Sequence, residues 1–75
     1  MTKEMVKQLR VLAGFNQREL ASSAGVSQTL IALIETGDRK LHSKLERKLY
    51  EVFGSAGIGG QEIALISDFL NKSKT

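Results

Sequence analysis

The chain has 75 residues, no cysteine, no proline and a net charge of +3, with 41% apolar residues, which fits one small domain. Disulfides and thiolate zinc sites are excluded, and no apolar run approaches the roughly 20 residues that span a bilayer. The N-terminal MTKEMVKQLR lacks the apolar stretch of a signal peptide, so the sequence predicts a soluble intracellular protein. Apolar residues recur at steps of three and four and never alternate over a useful length, which predicts an all-α fold.

Five short helices follow in chain order, at about 2–13, 17–24, 28–35, 43–53 and 61–71. In the first, Val6, Leu9 and Ala13 form the inward stripe, Leu12 widens it and Gly14 ends it. The second starts at Asn16, an N-cap, with Glu19 placed to reach back to the cap amide. Leu20 and Ala21 face inward, Ala24 closes the segment and Gly25 breaks it. Ser27 caps the third, whose inward residues are Leu30, Ile31 and Ile34, and Thr36-Gly37 ends it. Ser43 is expected to cap the fourth, with Glu46 completing an S-x-x-E capping box. Leu45, Leu49, Val52 and Phe53 are its buried stripe and Gly54 its stop. The loop GSAGIGG leads to the fifth, with Ile63, Ile66 and Leu70 on one face and Leu65 and Phe69 beside it. A single domain over 1–72 and a frayed tail at 73–75 are expected, with no internal repeat.

The second and third helices are about two turns each and need tertiary support. Gly25-Val26-Ser27 links them. Gly25 can turn the chain sharply, Ala21 lets the helices approach, and Val26 plugs the space below. Such a unit is a helix-turn-helix, with two helices joined at a steep angle. The residues Leu9-Arg10, Asn16-Gln17, Glu19-Leu20-Ala21, Gly25-Val26-Ser27-Gln28, Ile31, Ile34-Glu35 and Gly37 resemble the lambda-repressor-like, Cro-repressor (xenobiotic-response-element type) helix-turn-helix family, closely over about 6–37 and loosely in the fourth helix.

That resemblance implies a sequence-specific regulator of transcription, a repressor, whose third helix enters the major groove of double-stranded DNA. It puts Ser27, Gln28, Thr29, Ala32 and Leu33 toward the bases. Gln28 suits the N6/N7 edge of adenine, and the Thr29 methyl suits thymine. Ser27 either contacts DNA or serves as a cap. Leu33 stands where the family often has a polar or basic residue; it contacts a thymine methyl or faces a protein. Asn16 and Gln17 are implied phosphate contacts at a helix N-terminus. Thr36, Arg39 and Lys40 are further phosphate candidates, within a basic stretch (Arg39, Lys40, Lys44, Arg47, Lys48) that holds two acids, Asp38 and Glu46. Arg10 and Glu35 are implied partners in an ion pair.

The fifth helix departs from the family in carrying more apolar residues than one docking face needs. A homodimer through Ile58, Leu65, Ile66 and Phe69 is expected, reading an inverted-repeat operator. The alternative is a protein-interaction module, antitoxin-like or an adaptor, that keeps the fold with little DNA binding. An enzyme is not expected: there is one histidine, His42, read as an exposed loop residue, no nucleophile–base pair and little room for a pocket. The glycines of GIGG lack the strand and the Lys or Ser/Thr of a phosphate cradle. No metal, cofactor, membrane or small-molecule ligand is expected. The resemblance places the protein in a prokaryotic cytoplasm or nucleoid, either as a complete Cro-like regulator or as the DNA-binding part of a longer one.

Overall fold

The computed structural model describes residues 1–73, Ser73 by its backbone alone. Five helices and no strand lie among the described residues: α1 Lys3–Leu12, α2 Gln17–Ala24, α3 Gln28–Thr36, α4 Ser43–Ser55 and α5 Gly60–Ser73. Ser73, placed by the sequence in a frayed tail, ends α5, and residues 74 and 75 lie outside the described part.

Local chemistry sets most of the boundaries. Thr2 Oγ1 accepts from the Met5 amide and caps α1. At α2 the exchange is reciprocal: Asn16 Oδ1 accepts from the Glu19 amide at 2.7 Å, and Glu19 Oε1 accepts from the Asn16 amide at 2.9 Å. Ser27 Oγ accepts from the Leu30 amide at 3.1 Å and caps α3. Helices α1 to α4 end alike. A glycine takes the left-handed conformation, its amide bonds three residues back, and the next amide bonds five residues back. The following residue is Phe15, Val26, Asp38 or Ile58, apolar at every end but that of α3.

This motif corrects the expected end of α4. Gly54 lies inside the helix, and the stop is Gly57 at φ +91°. The Ile58 amide bonds back to the Phe53 carbonyl at 3.0 Å and so draws its side chain into the core, 5% exposed. Ile58 therefore cannot belong to an outward dimer face. The start of α4 also differs. His42 is the N-cap, without a side-chain capping bond. Ser43 is already helical, and Glu46 turns its carboxylate to the Met1 ammonium at 2.9 Å, where opposite charge replaces the expected capping box.

α1 packs on α3 and α5, and α2 on α3 and α4. Val6, Leu9, Leu20, Ile31, Leu49 and Phe53 are fully buried at the centre, with Met5, Ala21, Ala24, Ile34 and Ile58 around them. Ile63, Ile66 and Leu70 bring α5 against this core without full burial. Ile66 is thus partly occupied inside the protomer rather than being wholly outward. Leu12 does not widen the α1 stripe. It is the helix's last residue, and at 55% exposure it is left largely to solvent.

Gly37 has a further constraint besides φ +88°: a Cβ there would stand 3.1 Å from Lys3 Cδ. Gly37→Ala is expected to cost about 1–2 kcal/mol, the price of a non-glycine residue in this conformation. Thermal unfolding checks this as a fall in Tm of at least about 4 °C for a domain of this size.

Candidate nucleic-acid interface

The α2–α3 unit is held by a network at its far end. Arg10 Nε donates to Glu35 Oε2 at 2.7 Å and Nη2 donates to Oε1 at 3.1 Å, a bidentate pair. Arg10 Nη1 donates to the Phe15 carbonyl at 2.9 Å, and Gln17 Nε2 donates to Glu35 Oε1 at 3.2 Å. The side chains of Arg10 and Glu35 are only 12% and 5% exposed. One carboxylate thus ties the C-terminal end of α3 to α1 and to the first turn of α2. Ile31 and Ile34 hold the inner side of α3.

With α3 fixed this way, its N-terminal turn projects Gln28 and Thr29 into solvent. Ser27 serves as the cap, so its oxygen is occupied by a backbone amide. Ala32 and Leu33 are half-buried rather than fully outward. Asn16 is exposed at the start of α2, its Oδ1 occupied as a cap. Gln17 is half-buried and has one amide hydrogen engaged by Glu35, which leaves the other for a second acceptor.

Thr36 does not suit the phosphate role. Its hydroxyl has one hydrogen, with the Asp38 carboxylate at 2.7 Å and the Leu33 carbonyl at 3.0 Å as acceptors. The adjacent Asp38 carboxylate also repels a phosphate. Arg39 and Lys40 follow it and are exposed, and the amides of Asp38 and Arg39 both bond to the Leu33 carbonyl. Those bonds hold the start of this basic loop to the end of α3. His42 is exposed, as expected, and no cluster of His, Cys, Asp or Glu suited to a metal occurs among the described residues.

A family model described as Helix-turn-helix matches residues 6–55, from α1 through the last residue of α4. The chain belongs to the lambda-repressor/Cro-like helix-turn-helix family. It is a family of DNA-binding regulators. No curated protein matches the chain significantly. Within the family's fold, α2 and α3 are the helix-turn-helix pair, and α5 lies beyond the matched span. No helix among the described residues is long and apolar enough to cross a membrane.

The sequence missed one feature. A groove of about 550 Å³ lies between the helix-turn-helix turn and α4, against an expectation of little room for a pocket. Its lining comes from the α2–α3 turn, α3, the loop after α3 and α4, stretches without a shared periodicity that would announce it.

Proposed function

We propose that this helix-turn-helix protein is a sequence-specific transcriptional repressor that inserts α3 into the major groove of an inverted-repeat operator in a prokaryotic cytoplasm. The observation that carries the reading is the exposed Gln28-Thr29 pair at the start of an α3 anchored by buried Ile31, Ile34 and the Glu35 network. Gln28 presents a donor and an acceptor for adenine, and the Thr29 methyl an apolar contact for thymine. Asn16 and Gln17 at the α2 N-terminus, with Arg39 and Lys40 after α3, contact phosphates and fix the register. Repression follows from occupancy, because a domain lying in the groove excludes other proteins from that site.

Two copies related by a twofold axis would read both half-sites. Leu65 and Phe69, one turn apart on α5 and about 69% and 70% exposed, supply the apolar contact between copies. The partly buried Ile66 stands beside them.

Binding to a 30-base-pair duplex, measured against salt, tests the electrostatic part. Lys40→Ala is expected to lower the slope of log K against log salt by about 1 per bound subunit, leaving sequence preference unchanged. An unchanged slope removes Lys40 from the phosphate contacts. Absence of duplex binding at any salt favours the protein-interaction reading instead.

A further inference from the structure

We infer that the groove between the helix-turn-helix turn and α4 is a binding site for a small amphiphilic anion, with one apolar body and one carboxylate-like head. Its volume of about 550 Å³ lies within the range of small-molecule sites, roughly 300–1,000 Å³. The lining has two parts of opposite chemistry. Ala24 is buried, and Val26, Leu30 and Leu45 are partly buried and packed against the core, so their remaining surface forms an apolar trough. Exposed Arg39, Lys40, Lys44 and Arg47 stand around it. The acid in the lining, Glu51, lies 3.8 Å from Lys48, so that pair adds little net field.

DNA alone does not account for this combination. A phosphate needs the cations and has no use for a trough of valine and leucine. An uncharged apolar ligand would fill the trough and gain nothing from four cations. A ligand carrying both parts satisfies both, burying its tail by the hydrophobic effect while its head meets the positive edge. The apolar lining is short, enough for one acyl chain or ring system. Such a ligand therefore fits it better than the extended face of a partner helix.

One consequence rests on the DNA reading above. Arg39 and Lys40 belong both to the groove and to the proposed phosphate contacts, so an occupied groove and a bound operator exclude one another. The ligand would then release the protein from DNA.

Decanoate is the probe, titrated into the full 75-residue chain without DNA and followed by amide and methyl NMR. The expected result is saturable shifts at Val26, Leu30 and Leu45. Decanol should bind about tenfold more weakly, the loss of one charged contact. Lys44→Glu with Arg47→Glu should weaken decanoate by about tenfold or more with the melting temperature retained. Lys7→Glu, at an exposed α1 position that does not line the groove, should leave decanoate binding unchanged. Equal binding of decanol overturns the inference, as do the same shifts with inorganic phosphate alone or shifts centred on Leu65 and Phe69. Saturation of the groove by a Leu/Glu amphipathic peptide with none by decanoate overturns it in favour of a protein partner. A duplex-displacement assay separates the two claims. A protein that binds decanoate in the groove but binds no duplex contradicts the DNA reading alone. One that binds duplex but not decanoate contradicts the groove assignment alone.

Discussion

Arg10→Met is expected to lower the unfolding free energy by about 3–5 kcal/mol, the cost of leaving a buried carboxylate without its partner. Glu35 is 5% exposed on its side chain and would keep only the Gln17 amide, at 3.2 Å. The Phe15 carbonyl would also lose its Arg10 donor. A domain of this size has only about 5–15 kcal/mol in total, so a variant near the lower bound would be partly unfolded at room temperature. The double variant Arg10→Met with Glu35→Leu removes both charges and should cost much less, since paired apolar groups of similar volume often replace a buried ion pair without loss. Urea unfolding of both variants decides it. Equal costs for single and double would mean that the pair contributes little, and that α3 is positioned by Ile31 and Ile34 alone.

The second large effect concerns assembly. Leu65→Glu with Phe69→Glu places two charges on the exposed face of α5. Both residues are outside the core, so the fold should persist. Sedimentation is expected to show a dimer for the parent chain and a monomer for the double variant. Affinity for a full inverted repeat should fall by about 10²–10⁴-fold, because the second half-site contact is no longer effectively intramolecular. Half-site affinity should stay as it was. A double variant that sediments as the parent does, with full-site affinity intact, would exclude α5 from the interface.

Helix starts and stops could be read from single residues because their chemistry is local. Asn16 with Glu19, Ser27, Gly25 and Gly37 act on backbone groups within a few positions of themselves. The readings that failed turned on which partner each group takes. Ser43 and Glu46 have the spacing of a capping box, but the Met1 ammonium, far off in sequence, takes the carboxylate. Thr36 carries a hydroxyl a phosphate could use, but the Asp38 carboxylate two residues on accepts its hydrogen. Ile58 looked like a loop residue free for a partner. Its position just after Gly57 makes it the apolar residue that closes the end of α4, and the same pattern at Gly25-Val26 was legible. The inward side of α3 was legible because Ile31 and Ile34 mark it, whereas Ala32 and Leu33, expected to face outward, are half-buried. The groove was not legible, since it exists only where the α2–α3 turn, α3, the loop after α3 and α4 meet.

The central claim is that the first turn of α3 reads bases. Selection from random duplex DNA at about 0.15 M salt, near physiological ionic strength, followed by sequencing, tests it most directly. The parent chain should enrich an inverted repeat. Gln28→Ala should relax the preference at one base pair of each half-site, by roughly 1–3 kcal/mol of discrimination, and leave the rest of the consensus in place. An unchanged consensus from Gln28→Ala, or no consensus from the parent, would contradict the account.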